Sequence, residues 1–360
     1  MSHPAPEPLP LGELPPQARV SIAITCYNYG RFLPECLDAC LSQTVPADEI
    51  VVIDDGSTDD SWTVAEAYMA RFPRIKAIRC VNAGMSGAAN AAIAACTGDV
   101  VLMIDADDVP LPERVEKVLK ALREPIDGRL PGWAHHPLKR FSLEQQDLGS
   151  IPYYPPEATP HGYLANQVRE VVQCPVFTPM SGLAFRRDLL ELIGPLDDDR
   201  TMAQDMQLSL AGSLFSPVAY IDEALTRYRI HGESDSAGGL MSSLPKVQLI
   251  RRRYERLEPW IRQLLNKYRP QAAPPWVPLQ DQPSYQWLKF LEGWWSGSGR
   301  DLSLLTQVLR HPQTRAAPLQ QRLYFYGALC LPKPWFLSFS RMIYGSSPLK
   351  AFVRRCLGRA

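Results

Sequence analysis

The sequence lacks several features that define large classes of protein. No run of about 18 uninterrupted apolar residues is present, which is the length that a bilayer-spanning helix needs. Residues 1–17 are rich in proline and have no apolar core of the kind that a secretory signal requires. No glycine-rich loop is followed by Lys-Ser or Lys-Thr, which excludes a P-loop, and no G-x-S-x-G elbow indicates a hydrolase. We therefore expect a cytoplasmic protein that uses other chemistry.

Paired cysteines and an overall charge are also missing. The eight cysteines form no CxxC pair and no metal-ligand spacing, and most lie in apolar stretches where a thiol acts as a small hydrophobe. The formal net charge is +0, but residues 236–360 carry 19 Lys/Arg against 5 Asp/Glu, whereas the rest of the chain carries 19 against 33. This asymmetry predicts an acidic body joined to a basic tail, and residues 1–18 are predicted to be a disordered, proline-rich leader.

Strand-like and helix-like patterns alternate along residues 20–104. Apolar runs predict strands at 20–25, 49–53, 75–81 and 100–104, and helical spacing predicts helices at 32–42, 61–71 and 87–96. The run VVLMI at 100–104 is uniformly apolar, which is typical of a strand covered on both faces. This rhythm predicts an α/β fold with a parallel sheet and right-handed crossovers. Residues 125–170 stay unassigned, and the chain beyond residue 239 is predicted to be helical.

Polar residues follow each predicted strand, at the edge where open α/β sheets bind ligands. They are Thr25, Tyr27 and Asn28 after the first strand, Asp54, Asp55, Gly56, Ser57 and Asp59 after the second, Asn82 and Gly84 after the third, and Asp105, Asp107 and Asp108 after the fourth. Carboxylates two residues apart at a strand end can hold a hard divalent cation, which would neutralise a diphosphate. The alternative is that the last three simply cap a helix starting near Leu111.

Seven sequence blocks along the chain occur in an ordered series. They are VSIAITCYNYGRFLPECLDACLSQT, VVIDDGSTDDS, NAGMSGAANAAI, GDVVLMIDADDVPLPERV, SGLAFRRDLLELIGPLDDD, AQDMQLSL and RYRIHGESDS. In order and spacing they resemble the inverting GT-A fold glycosyltransferases of family 2, over roughly residues 19–236. The resemblance implies a Rossmann-like, doubly wound, mostly parallel sheet in a catalytic domain of residues 19–236, followed by a basic, mostly helical appendage of residues 237–360. A processive synthase is not expected, because neither a multi-span region nor a Gln-x-x-Arg-Trp block follows.

The resemblance also implies a reaction and a set of site residues. A sugar would pass from a nucleotide diphosphate donor, expected to be a UDP-sugar, to a hydroxyl acceptor with inversion. Asp205 matches the catalytic base, and Asp107, aided by His231, matches the ligand of a Mn²⁺ or Mg²⁺ ion. The residues that match donor binding are Thr25, Tyr27, Asp55, Asn82, Asp105 and His231. The implied acceptor is a saccharide, a lipid-linked molecule or a protein, as in cell-envelope polysaccharide synthesis, and no nucleic acid partner is expected.

Most of these assignments have an alternative in ordinary structure. Tyr27 would be a buried aromatic, Asp55 a turn aspartate, His231 a structural histidine and Asp205 a helix cap. The small residues at 82–87 either bring the backbone close to a ligand or reflect tight helix packing.

Two positions depart from the family pattern, and one of two neighbouring arginines is a further candidate for ligand contact. Gln204 stands where relatives usually carry Glu, and Ala89 stands where many carry Arg. Arg186 or Arg187 is a further candidate for contact with the diphosphate. The departures leave room for a binding protein that keeps the fold without turnover. A sugar nucleotidyltransferase is a third hypothesis, but the glycine- and lysine-rich signature that it needs near the N-terminus is not visible.

The basic C-terminal region carries its own pattern. Residues 241–269 are predicted to form a basic amphipathic helix, and residues 324–360 combine six Lys/Arg with eight aromatic residues and no acidic ones. Aromatic and basic residues together suit an anionic membrane surface, so peripheral contact with the inner face of the membrane is predicted. The alternative is that the aromatic residues pack on the catalytic domain while the arginines face solvent.

Overall fold

The computed structural model describes residues 7–151, 159–170, 176, 178–231, 243–268, 278–316 and 319–344. The chain divides into two compact units, one of Met1–Ile230 with Pro259–Trp276 and one of His231–Glu258 with Val277–Ala360. The predicted boundary between residues 236 and 237 lies outside the described residues, and the domain limits stay a prediction.

The strands of the described residues all belong to the first unit. The first seven helices and the last part of the eighth also belong to it. The strands are β1 (Val20–Cys26), β2 (Glu49–Asp54), β3 (Ile75–Arg79), β4 (Val100–Asp105), β5 (Val109–Pro110), β6 (Trp133–His135), β7 (Leu138–Ser142), β8 (Asp147–Ile151), β9 (Leu183–Arg186), β10 (Val218–Tyr220) and β11 (Thr226–Ile230). The helices are α1 (Leu33–Leu41), α2 (Ser61–Arg71), α3 (Gly84–Ala95), α4 (Arg114–Arg123), α5 (Ala165–Glu170), α6 (Arg187–Ile193), α7 (Gln204–Phe215) and α8 (Leu244–Tyr268).

A seven-stranded sheet forms the centre of the first unit, with the strand order β10-β6-β9-β4-β1-β2-β3. β1 pairs in parallel with β2 and β4, β2 with β3, and β6 with β10, whereas β9 runs antiparallel between β4 and β6. The inner strands β1, β2 and β4 are buried along nearly their whole length because both of their faces are covered. The predicted α/β fold with a mostly parallel sheet is therefore confirmed.

Helix positions follow the apolar spacing of the sequence. In α1 the buried residues are Leu33, Cys36, Leu37 and Cys40, which recur at the interval of one helical face. Helix α3 begins at Gly84, three residues before the predicted start, and buries Ala88, Ala89 and Ala92 on the side that faces β1 and β2. Small side chains let this helix lie close to the sheet, so tight packing accounts for the alanines.

A second sheet of four strands, in the order β5-β11-β7-β8, was not anticipated. Two of its strands, β7 and β8, come from the unassigned stretch of residues 125–170, which also contains β6 and α5. β11 pairs in parallel with β7 and antiparallel with β5, which directly follows the acidic triplet. This sheet therefore brings residues 226–230 against the loop that carries Asp107 and Asp108.

The described part of the proline-rich leader, residues 7–18, packs on the first unit rather than standing apart from it. The Leu9 N–H donates to the Phe215 carbonyl at 2.8 Å. Arg123 donates from Nη2 to the carbonyl oxygens of Pro15 at 3.0 Å and Pro16 at 2.8 Å. Proline has no N–H but keeps its carbonyl, so this segment acts as an acceptor for hydrogen bonds from the body.

The second unit is helical, as predicted for the basic region. Besides the first part of α8 it contains α9 (Pro283–Trp295), α10 (Leu302–Arg310), α11 (Pro312–Ala316), α12 (Leu319–Cys330) and α13 (Lys333–Tyr344). Its aromatic core joins Trp287 and Trp294 of α9 to Tyr324 of α12 and Phe336 of α13, with ring centroids 5.2–6.3 Å apart in the contacts that these residues make. Several of the C-terminal aromatic residues thus pack among the C-terminal helices themselves. Within the described residues, no helix has both the length and the apolar character needed to cross a membrane.

Candidate active site

The carboxyl ends of β1, β2 and β4 lie side by side because these strands pair in parallel. Thr25 is opposite Asp105, and Cys26 is opposite Asp54. The Thr25 hydroxyl donates to Oδ1 of Asp105 at 3.1 Å across the two strands. The polar residues that follow these strands therefore share one edge of the sheet, as the sequence predicts.

The loops after β1 and β2 are hydrogen-bonded to each other. The Asn28 N–H donates to Oγ of Ser57 at 2.9 Å, and Oδ1 of Asn28 accepts from the Thr58 N–H at 2.8 Å. Asn28 adopts a positive φ of 57°, which asparagine tolerates better than most residues. The Gly30 N–H donates to Oδ2 of Asp59 at 2.9 Å. These bonds fix the loop that presents Tyr27, whose side chain is 47% exposed and is therefore not a buried core aromatic.

Asp55 holds the turn that opens α3. Its Oδ1 accepts from the Ala83 N–H at 2.7 Å and its Oδ2 accepts from the Gly84 N–H at 2.9 Å. Burial raises the pKa of Asp55, an effect that these two hydrogen bonds and the charge of Arg200 oppose. Each carboxylate oxygen has a second lone pair, so Asp55 can accept a further hydrogen bond from a ligand. A role as a turn aspartate and a role in donor binding are thus compatible.

Gly56 lets the second loop approach the third. Its φ is +74°, and a Cβ added there would lie 2.8 Å from the Asn82 nitrogen. Asn82 itself is half-buried, and its carbonyl accepts from Nη2 of Arg200 at 2.5 Å. Asp55, Asn82 and Arg200 therefore form one side of the candidate site.

The acidic residues after β4 lie close to one another and to α7. Burial, together with the negative charges of Asp107 and Asp205, raises the pKa of Asp105 to about 7. Asp108 is fully buried, and burial with the charges of Asp107 and Asp105 raises its pKa well above the ordinary value. An effect of Asp205 on Asp105 requires the two carboxyl groups to be near each other. The structure thus brings Asp205 to the acidic strand end, although it is 100 positions further along the chain than Asp105.

The acidic triplet does not cap a helix. Helix α4 begins at Arg114, with Glu113 at its N-cap position, well after Asp108. Instead, Oδ1 of Asp108 accepts from the Arg229 N–H of β11 at 2.9 Å. Asp108 therefore supports the loop, and the helix-cap alternative for this motif is wrong.

Arg229 is a residue whose importance the sequence analysis missed. Its side chain is 4% exposed, and its guanidinium carbon lies 4.7 Å from the ring centroid of Phe32 and 4.5 Å from that of Phe141. Its Nε donates to the Asp107 carbonyl at 2.8 Å, and its Nη2 pairs with Oε2 of Glu35 at 2.5 Å. Arg229 therefore fixes the backbone of the loop that carries Asp107. The only signal was its place two residues before His231.

Asp205 lies in the first turn of α7, where Ala203 occupies the N-cap position without a side-chain cap. Its Oδ1 accepts from the Met206 N–H at 2.7 Å, so it satisfies one helix-terminal donor. The neighbouring Gln204 is buried, and its Oε1 has no hydrogen-bond partner among the described residues. His231 directly follows β11, and its side chain is also buried.

Arg186 and Arg187 lie at the opposite edge of the sheet from Asp105. Arg186 is paired in register with Val100 at the start of β4, and it forms an ion pair with Asp188 at 2.6 Å. Arg187 donates from Nε to the Gly98 carbonyl at 2.8 Å. Because β9 is antiparallel, the end of this strand reaches the amino edge of the sheet, so neither arginine reaches the acidic residues.

Arg200 supplies a cation that α3 does not. Ala89 is fully buried, so no side chain from that position reaches the site. Arg200, in the loop before α7, is exposed, lies over the Gly84 turn and lowers the pKa of Asp55 by its charge. No local sequence pattern indicates the hydrogen bond between Arg200 and Asn82, because the two residues are 118 positions apart.

A mostly parallel sheet whose carboxyl edge gathers the aspartates that follow its strands is typical of the GT-A fold. The sequence profile described as Glycosyl transferase family 2 matches residues 21–194. An uncharacterized glycosyltransferase of Nostoc sp. is 32% identical over 219 residues, which cover 60% of this chain and 66% of that protein. Residues 21–194 are therefore similar to glycosyl transferase family 2, and the relative that the chain matches is named a glycosyltransferase. The chain spans just under two thirds of the length of this relative.

Two solved structures share the fold. The mannosyltransferase PcManGT from Pyrobaculum calidifontis, in complex with GDP-Man and Mn2+, has a TM-score of 0.52 and 18% identity, and the match covers 98% of this chain and 92% of that one. S. aureus TarS 1-349 in complex with UDP-GlcNAc has a TM-score of 0.50 and 17% identity, with 94% and 92% covered. These likenesses show the GT-A arrangement.

Proposed function

We propose that this protein is a glycosyltransferase that moves a sugar from a UDP-sugar to a hydroxyl acceptor with inversion at the anomeric carbon. The observation that carries the proposal is the acidic strand end, where Thr25 donates to Asp105 at 3.1 Å and the charge of Asp205, in the first turn of α7, contributes to the raised pKa of Asp105. One carboxylate is thereby available to an acceptor hydroxyl while the others face the donor.

The donor side of the site fits a divalent cation. Burial, together with the charge of Asp107, raises the pKa of both Asp105 and Asp108, and a positive ion would favour the charged forms of these carboxyl groups. Within the described part of the chain no three His, Cys, Asp or Glu residues form a complete metal cage. In proteins, Mg²⁺ is usually held by one or two carboxylates together with phosphate oxygens, and we propose Mn²⁺ or Mg²⁺ here. We assign Asp107 and His231 as its protein ligands.

The reaction follows from these roles. Asp205 would accept the proton of the acceptor hydroxyl as its oxygen forms a bond to the anomeric carbon. The bond from that carbon to the diphosphate oxygen breaks on the opposite side, and the electron pair leaves with the nucleoside diphosphate. A bound metal ion would stabilise the negative charge on that leaving group. Thr25 would keep Asp105 oriented through its 3.1 Å hydrogen bond.

Donor recognition is assigned to the loops after β1, β2 and β3. Asp55 would accept from the ring N–H of uracil, and the exposed Tyr27 would stack on the base. Asn82 and the adjoining Gly84 turn would line the same side. The two structural neighbours hold different nucleotides, GDP-Man and UDP-GlcNAc, so the fold is compatible with more than one base and the uracil assignment rests on Asp55.

The acceptor is proposed to be a hydroxyl of a saccharide, a lipid-linked molecule or a protein at the inner face of a membrane. Gln204 adjoins the proposed base and has a buried Oε1 with no partner among the described residues. A buried amide oxygen of this kind gains from a hydrogen-bond donor. A second hydroxyl of the acceptor, other than the one whose proton Asp205 takes, would supply one.

The test is a screen of nucleotide sugars by thermal shift and hydrolysis, with Mn²⁺, Mg²⁺ or EDTA. We expect one UDP-sugar to stabilise the wild type and to be hydrolysed slowly, with both effects lost in EDTA and in Asp107→Asn. Asp205→Asn should keep the stabilisation and lose the turnover. Asp127→Asn, an exposed turn aspartate, is the matched control and should behave as wild type. Stabilisation without turnover by the wild type would instead indicate a binding protein, and a preference for GDP-sugars would refute the uracil assignment.

A further inference from the structure

Helix α12 is apolar on two faces, and only one of them is buried. Tyr324, Phe325 and Ala328 lie inside the second unit, where the two rings contact Trp287. The other face carries exposed apolar side chains at helical spacing, and the exposed Trp335 follows at the start of α13. We call these residues the outer face: Leu319, Leu323, Tyr326, Leu329 and Trp335.

The outer face is unusually exposed for its composition. Trp335 is 71% exposed and Leu319 is 68% exposed, whereas Phe336, the residue after Trp335, is 1% exposed. Scattered exposed leucines are ordinary, but a stripe of exposed apolar side chains along one helix, with an exposed tryptophan on the next helix, marks an interaction surface. Tryptophan and tyrosine beside aliphatic residues are typical of side chains that sit at a membrane interface.

The charge around the outer face selects its partner. The described residues 302–316 and 319–344 contain five Lys/Arg and no Asp/Glu. Arg322 lies on α12 between Leu319 and Leu323, and Lys333, two residues before Trp335 in the sequence, donates to the Trp295 carbonyl at 3.3 Å. A second copy of this chain would bring the same positive charge against itself, which is unfavourable. An anionic lipid surface offers both apolar depth and opposite charge.

We propose that the outer face docks on an anionic lipid surface, with Trp335 and the leucines entering the interface and the basic residues facing the headgroups. The proposal goes beyond the glycosyl transfer reaction, because it involves none of the donor, metal or base residues. It narrows the earlier expectation for the whole basic region to one helix face and one tryptophan.

The test is co-sedimentation of the full chain with vesicles of phosphatidylcholine alone or mixed with phosphatidylglycerol. We expect binding to the anionic vesicles, weakening as salt is raised, and at least about a tenfold loss of partitioning in the double variant Leu323→Gln/Trp335→Ser. Leu143→Gln changes a leucine of similar exposure in the first unit and is the matched control. Hydrolysis of the donor in solution should be the same in all of these proteins.

Three outcomes would overturn the proposal. Equal recovery with neutral and anionic vesicles would show that charge does not select the partner. Binding of the double variant at the wild-type level would show that another surface is responsible. A concentration-dependent dimer in light scattering, broken by the double variant and not by Leu143→Gln, would assign the outer face to self-association. Unchanged thermal unfolding of each variant excludes misfolding as the cause of any loss.

Discussion

Replacement of Arg229 by methionine tests whether this buried side chain holds the loop that carries Asp107. Methionine keeps an unbranched apolar stem of similar reach but removes the charge and every hydrogen-bond donor. The Asp107 carbonyl would lose its 2.8 Å hydrogen bond, and the rings of Phe32 and Phe141 would lose the guanidinium between them.

The expected fall in stability follows from the interactions that the substitution removes. A hydrogen bond from a charged donor contributes about 1.5–3 kcal/mol. A desolvated cation–π contact adds about 1–2 kcal/mol. The ion pair adds under about 1 kcal/mol, because Glu35 is 44% exposed and solvent screens it. Since such energies are not additive, we expect the free energy of unfolding to fall by about 2–4 kcal/mol, or Tm by roughly 5–15 °C for a unit of this size.

Activity should fall as well, because Asp107 would be displaced. A misplacement of about 1 Å at a reacting site costs up to about 100-fold in rate, so we expect kcat to fall about 10- to 100-fold at saturating metal. Thermal unfolding and steady-state kinetics measure the two effects. Arg227→Met is the control, because Arg227 lies two residues earlier on the same strand and faces Phe141 and Glu35, but is 30% exposed. Equal losses of stability in the two variants would refute the reasoning.

The remaining predictions concern the loops assigned to the donor and the acidic strand end. Asp55→Ala frees two backbone N–H groups and should raise KM for the donor about tenfold with a smaller change in kcat, and Arg200→Ala should raise KM by a few-fold, both in initial-rate kinetics. Folding raises the pKa of the Asp105 carboxyl from 3.8 to about 7, so the charged form is disfavoured in the fold. The stability that this group contributes below about pH 3.8 should therefore be lost as pH rises from there through about 7. In EDTA, Tm should fall over this pH range less steeply in Asp105→Asn than in wild type. Gly56→Ala should cost more than the roughly 1–2 kcal/mol expected for Gly128→Ala, since both have positive φ but only Gly56 also has a backbone atom within 3 Å of the added Cβ, as denaturant unfolding would show.

The central strands and their helices were predictable because their pattern is local. β1, β2 and β4 are apolar throughout, and α1 shows a helical interval of buried residues, so each element could be recognised from its own sequence. Residues 125–170 show no such signal. β6 has only three residues, which is too short to show an alternation of apolar and polar residues. β8 is largely exposed, so it has no buried face that would require such an alternation.

The site was predictable where its residues sit in sequence blocks and not where they meet through the fold. Asp105, Asp107 and Asp205 lie in such blocks, but Arg229 contacts Glu35 across 194 positions. Arg187 was misjudged for a topological reason. It follows a strand, as the site residues do, but β9 is antiparallel, and this reverses the edge that its end reaches.

The hydrogen bond between Asp108 and Arg229 has a consequence for how the protein is made. The two residues are 121 positions apart, so a growing chain presents the acidic loop long before the strand that secures it. Until β11 emerges, the loop cannot bury Asp108 with its hydrogen-bond partner in place. A fragment that ends after β4 and α4 would include the loops after β1, β2 and β3. Its acidic loop would still lack the hydrogen bond from Arg229 to Asp108. The first half of this unit is therefore not a separable module, and its assembly is completed only when β11 arrives.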